Sequence, residues 1–194
     1  MRIVGGTLGS RRLRGPGGVE GLRPTSDRLR ETLFDILGPR VAGRPFVDAY
    51  AGTGAVGIEA YSRGARPVIW VEAAPRAAAG LRENLQALGL AGTPEAVVWQ
   101  RRLPQGLREV AGAAGLRAAG GAGFLFCDPP YDDVAAPERL LRGLERHPGL
   151  MAADGRVVVE TRRGAELPEA VGGWRRQRVH RQGDSQLVFF AAGD

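Results

Sequence analysis

The stretch VDAYAGTGAVGIEA, residues 47–60, joins an apolar run to a helical pattern through a literal G-x-G-x-x-G at Gly52, Gly54 and Gly57. A strand that enters a glycine turn and leaves it as a helix is the opening unit of a parallel sheet. Outward from this unit, the short apolar runs PFVDAY, PVIWVE, EAVVWQ, GFLFCD and GRVVVET alternate with the helical segments GAVGIEAYSRG, APRAAAGLRENLQALG, PQGLREVAGAAGL and PERLLRGLER. The alternation predicts an α/β fold, a doubly wound and mostly parallel sheet with helices on both faces. Toward the end the pattern changes: WRRQRVHR and SQLVFF flank QGD as a hairpin. Upstream, Leu29, Leu33, Ile36 and Leu37 recur at helical spacing, with Thr25 as the expected N-cap and Gly38 as the stop. The Ala/Gly-rich AGAAGLRAAGGAG is read as a loop.

The glycine turn alone fits a dinucleotide as well as a nucleoside carrying a sulfonium. Glu72, ending PVIWVE, serves either, because an acid there accepts hydrogen bonds from ribose hydroxyls. Asp48 separates the two. A carboxylate at the tip of the first strand repels a pyrophosphate at the helix N-terminus and attracts the ammonium of a methionine moiety. The expected cofactor contacts are therefore Asp48, Gly52, Gly54 and Glu72.

A second apolar run, Phe124 to Cys127, ends in Asp128, Pro129, Pro130 and Tyr131. Consecutive prolines offer no N–H and leave the sheet, so Asp128 falls on the carboxyl rim, where ligands of open α/β sheets bind. An exocyclic base amine is a poor nucleophile because its lone pair is delocalised into the ring. If the Asp128 carboxylate and the Pro129 carbonyl each accept one of its hydrogens, the nitrogen moves toward sp3 geometry and its lone pair turns to an electrophilic methyl. Tyr131 offers a face for a base withdrawn from its stack. The catalytic candidates are Asp128, Pro129 and Tyr131.

The 194 residues suit one substantial core, and the net charge of +6 comes from arginine alone, since the sequence has no lysine. Arg2, Arg11, Arg12, Arg14 and Arg23 crowd the first 24 residues against the single acid Glu20, and Arg175, Arg176, Arg178 and Arg181 form a second cluster. Such clusters suit a polyanion, and Arg11, Arg12 and Arg14 are the expected RNA contacts. Residues 1–24 read as a basic arm or hairpin, and residues 25–194 as the catalytic domain. One cysteine and two histidines give no metal site, and without an apolar signal core or membrane span the chain is expected to be cytoplasmic.

Five blocks, MRIVGGTLGSRRLRGP, LRPTSDRLRETLFDILG, VDAYAGTGAVGIEAYSRGA, VEAAPRAAAGLRENL and FLFCDPPYD, resemble in order those of a known family. It is the bacterial 16S ribosomal RNA methyltransferases that modify the N2 amine of guanine 966, within the class I S-adenosylmethionine-dependent methyltransferases. The resemblance implies a seven-stranded Rossmann-like sheet, S-adenosylmethionine at Asp48, Gly52, Gly54 and Glu72 with Thr25 and Asp128 also against the cofactor, and catalysis at Asp128. It also implies an N-terminal extension on RNA of the small ribosomal subunit, and Arg23, Pro24 and Thr25 near the methionine end of the cofactor; the chain is expected to act as a monomer. Two departures stand out. WQRRLPQGL lacks an acid or amide after the third strand to meet adenine, and Gln182 to Ser185 replace an expected Tyr-Gly-Thr pattern.

Two other readings compete. An exocyclic-amine methyltransferase acting on adenine N6 of DNA or another RNA would use the same DPPY chemistry. A ribosome-assembly module that binds RNA without turnover would need neither Asp128 nor Tyr131.

Overall fold

The computed structural model describes residues 1–15 and 25–193. Eight strands form one sheet: β1 (Phe46–Ala49), β2 (Val68–Glu72), β3 (Ala96–Gln100), β4 (Ala122–Cys127), β5 (Met151–Arg162), β6 (Ala170–Val171), β7 (Trp174–Gln182) and β8 (Ser185–Ala192). Their order is β3-β2-β1-β4-β5-β8-β7-β6. The first five pair in parallel, and β5, β8, β7 and β6 pair antiparallel. The count exceeds the expected seven because the two-residue β6 extends the edge beyond the predicted β7–β8 hairpin.

Helices α1 (Asp27–Leu37), α2 (Ala55–Ser62), α3 (Pro75–Ala87), α4 (Leu107–Ala111), α5 (Ala114–Ala118) and α6 (Ala136–Glu145) accompany the sheet. Alternation along the central strands feeds two cores. Phe46, Trp70, Phe124 and Phe126 pack with Leu33, Phe34, Ile58 and Leu81 on one face. Val47, Ile69, Leu125 and Cys127 pack with Leu107, Leu116, Leu140 and Leu141 on the other. Asp48 pairs in register with Trp70 of β2 on one side and Phe126 of β4 on the other.

Two local expectations are corrected. The N-cap of α1 is Ser26, whose hydroxyl accepts the Leu29 N–H at 3.2 Å; the Thr25 hydroxyl is instead engaged by the carboxylates of Glu160 and Asp128. Gly38 does end the helix, at φ +65°. The Ala/Gly segment is not all loop, because fully buried Leu116 anchors α5 under the sheet. Apolar anchoring outweighs the low-complexity composition.

The arginine-rich N-terminus is a hairpin docked on α2. Ile3 N–H donates to Arg11 C=O at 2.9 Å and Leu13 N–H to Met1 C=O at 3.1 Å, and both Ile3 and Leu13 join the core. The buried carboxylate of Glu59 accepts Val4 N–H at 2.7 Å and Gly5 N–H at 2.8 Å. Among the described residues, no helix is long and apolar enough to cross a membrane.

Candidate active site

The glycine turn is held from beneath by two acids. Asp48 Oδ2 accepts the Gly57 N–H at 2.8 Å, which ties β1 to the first turn of α2. Glu72 spans the rim: Oε2 accepts Gly52 N–H at 2.8 Å and Oε1 accepts Ala74 N–H at 2.7 Å. Gly54 takes φ +78°, and a Cβ on Gly57 would lie 2.2 Å from Trp70 Nε1, so that turn and that helix–strand contact both require glycine. The predicted quartet of Asp48, Gly52, Gly54 and Glu72 is thus one structural unit at the carboxyl ends of β1 and β2.

Burial pushes the Asp48 carboxyl from its ordinary 3.8 up to about 8; the Gly57 N–H opposes the shift, and the neighbouring Glu72 charge adds to it. A carboxyl so reluctant to ionise alone gains most from an incoming cation. Beside it, Glu72 keeps acceptor capacity for hydroxyls, since a carboxylate has about four acceptor sites. This set of acceptors fits a cationic, ribose-bearing group such as S-adenosylmethionine.

At the next strand, Asp128 N–H lies 3.4 Å from Ala49 C=O, which ties the tip of β4 to that of β1. Asp128 is half-buried and Pro129 buried. Thr25 comes in from the loop before α1, with Oγ1 at 2.9 Å from Glu160 Oε2 and 3.3 Å from Asp128 Oδ2. Tyr131 is held at both ends: its hydroxyl is 3.0 Å from Ser185 Oγ, and the Arg162 guanidinium lies over the ring at 5.4 Å. The neighbouring Cys127 thiol is pushed well up, by burial first and then by the Asp128 and Asp48 charges, so it stays protonated within the core.

The structure therefore brings Thr25 to Asp128, and places Tyr131 at the Gln182–Ser185 corner. Arg11, Arg12 and Arg14 sit apart, exposed on the hairpin over α2 and α3; Arg14 pairs with Glu83 at 2.7 Å, and Asn84 Oδ1 accepts its backbone N–H at 2.9 Å. Arg23 and Pro24 lie outside the described residues. Sequence reasoning missed Glu160, which is 4% exposed at the rim of β5. The signal was present: VVVE repeats the apolar-run-plus-acid pattern of VIWVE. Arg30, fully buried in α1, left no such trace.

The sequence profile of the family described as Conserved hypothetical protein 95 matches residues 1–191. The chain is 35% identical over 172 residues to YlbH of Bacillus subtilis (strain 168), covering 89% of this chain and 88% of that one. It is 32% identical over 184 residues to Ribosomal RNA small subunit methyltransferase D of Escherichia coli (strain K12), covering 94% of this chain and 83% of that one. Among solved structures, a hypothetical protein of Thermus thermophilus superposes with a TM-score of 0.78 at 31% identity, covering 99% of both chains.

Proposed function

The chain belongs to the family described as Conserved hypothetical protein 95 and is an S-adenosylmethionine-dependent methyltransferase; from that premise we propose that it methylates the exocyclic N2 amine of a guanine in small-subunit ribosomal RNA. The observation that carries this reading is the position of Asp128. Its carboxylate stands at the tip of β4, between the acid-held glycine turn and Tyr131, with Thr25 beside it.

S-adenosylmethionine, when bound, supplies a methyl group on a sulfonium sulfur, which departs as a neutral thioether. Asp48 and Glu72 orient the cationic and ribose ends on the β1–β2 side of the rim. Asp128 and the Pro129 carbonyl accept the two N2 hydrogens and direct the nitrogen lone pair at the methyl carbon. As the N–C bond forms, the amine becomes acidic, and Asp128 holds the proton before it passes to water. Tyr131 supports the base outside its stack. The basic hairpin within residues 1–24 holds RNA phosphates through Arg11 and Arg12, while residues 25–194 carry the chemistry. The enzyme acts as a monomer in the cytoplasm, where its substrate is assembled.

Mass spectrometry of small-subunit ribosomal RNA, compared between a deletion strain and the same strain carrying the gene, tests the assignment. One N2-methylguanosine should disappear and return. Loss of N6-methyladenosine in its place would assign the enzyme to adenine, and an unchanged nucleoside profile would remove ribosomal RNA as the substrate.

A further inference from the structure

Asp128 divides the carboxyl rim. Strand order puts β1 and β2, with Asp48, Glu72 and the glycine turn, on one side of β4, and β5 and β8, with Glu160 and Ser185, on the other. On this second side a pocket of about 240 Å3 opens between the first turn of α1 and the β7–β8 turn, with Arg28, Glu160, Gln182 and Ser185 in its lining. Pockets for drug-sized ligands begin at roughly 300 Å3. The space suits one planar ring system rather than a whole cofactor.

The pocket presents acceptors. Glu160 is a buried carboxylate that shares the Thr25 hydroxyl with Asp128. Gln182 Oε1 is buried and has no hydrogen-bond partner among the described residues. A buried acceptor left unsatisfied favours a ligand that brings it a donor. Tyr131, the residue expected to support the base, is anchored through its hydroxyl to Ser185 of the pocket lining.

We infer that this pocket reads the Watson–Crick edge of the extruded guanine, with Glu160 accepting its N1–H while Asp128 accepts from the adjacent N2 amine; the inference rests on the guanine-N2 reading above. Guanine carries donors at N1 and N2 side by side, and the two acids stand one hydroxyl apart to meet them. Adenine fails this test, because its N1 is itself an acceptor and would face a carboxylate. Reading a flipped base on this edge is how enzymes that act on base atoms select it.

The test uses small-subunit RNA assembled from two pieces, the shorter bearing guanine or 2-aminopurine at the methylated position. 2-Aminopurine keeps the N2 amine and lacks the N1 hydrogen together with O6, an acceptor that neither Glu160 nor Asp128 could meet. The full-length wild type should prefer guanine in kcat/KM by about ten- to hundredfold, the equivalent of one charged hydrogen bond. Glu160→Ala should bring the two rates within a fewfold of each other, and Glu160→Gln should give an intermediate ratio. A wild type indifferent to the two bases overturns the inference whatever the variants do. So does a Glu160 variant in which both rates fall together at an unchanged ratio, which would mark a purely structural acid. A wild type that leaves the guanine RNA unmethylated would instead refute the functional reading, and this inference with it.

Discussion

Arg30 donates through Nη1 to the backbone carbonyl of Thr25 at 2.8 Å, from a side chain with no exposed surface. Its Nη2 reaches both the carbonyl of Arg2 and, at 2.9 Å, the carboxylate of Asp27. One buried guanidinium thus joins the N-terminal hairpin, the start of α1 and the residue beside Asp128. Truncation to alanine opens a cavity and orphans two carbonyls, so Arg30→Ala should lower stability by about 2–5 kcal/mol in denaturant titration. Arg30→Lys keeps a charge but lacks the planar fork that spans both carbonyls. It should lose methyl-transfer rate even where its unfolding midpoint approaches that of the wild type. Wild-type turnover in a well-folded lysine variant would show that Thr25 needs no such support.

The buried acid Asp48 makes stability depend on pH. Between about 4 and about 8 the folded chain holds a proton that the unfolded chain has released, so stability falls as pH rises through this window. Asp48→Asn keeps an acceptor for Gly57 and does not titrate. Without cofactor, its stability relative to wild type should grow by up to about 1.4 kcal/mol per pH unit across the window and level off above it. A difference independent of pH would show that Asp48 ionises normally in the folded protein.

Calorimetry with S-adenosylmethionine tests the same rim as a binding site. Asp48→Ala removes the expected ammonium partner, and Glu72→Ala removes both the expected ribose acceptor and the brace on Gly52 and Ala74. Each should weaken binding by about 1–3 kcal/mol. Unchanged affinity in both variants would put the cofactor elsewhere on the sheet.

Most of this architecture is legible in the sequence because periodicity and punctuation agree. Apolar runs buried on both faces read as parallel strands, Gly38 stops α1, and the glycine turn needs its glycines for φ at Gly54 and for contact with Trp70 at Gly57. What stays hidden is tertiary. Thr25 reads as a cap because Ser/Thr before a helix usually serves there, yet a carboxylate 135 residues away takes its hydroxyl and leaves the cap to Ser26. The N-terminus reads as a basic arm or hairpin because arginine and glycine dominate it, and its docking on α2 does not show in that composition. Ile3 and Leu13 on its inner side, and Glu59, Ser62, Asn84 and Arg30 beneath it, hold it to the core through contacts that no local pattern announces.

That docking sharpens the expectation for RNA. Arg11 and Arg12 are exposed and, among the described residues, make no ion pair, whereas Arg14 is already paired with Glu83. Arginine neutralises phosphate and releases counterion, so Arg11→Ala/Arg12→Ala should flatten the log–log dependence of RNA affinity on salt by up to about 2 units. Adding Arg14→Ala should change it less than either of the other two does. Filter binding across a salt series gives the slopes; parallel lines for wild type and double variant would make the hairpin a passive basic surface.

The central claim is that Asp128 activates the guanine amine, and single-turnover methyl transfer by Asp128→Ala tests it most directly, with S-adenosylmethionine affinity and unfolding measured on the same preparation. Transfer to N2 should fall by at least about a hundredfold, in line with a general acid–base contribution, while cofactor affinity and stability change far less. Near-normal transfer by a folded, cofactor-binding Asp128→Ala would contradict the account.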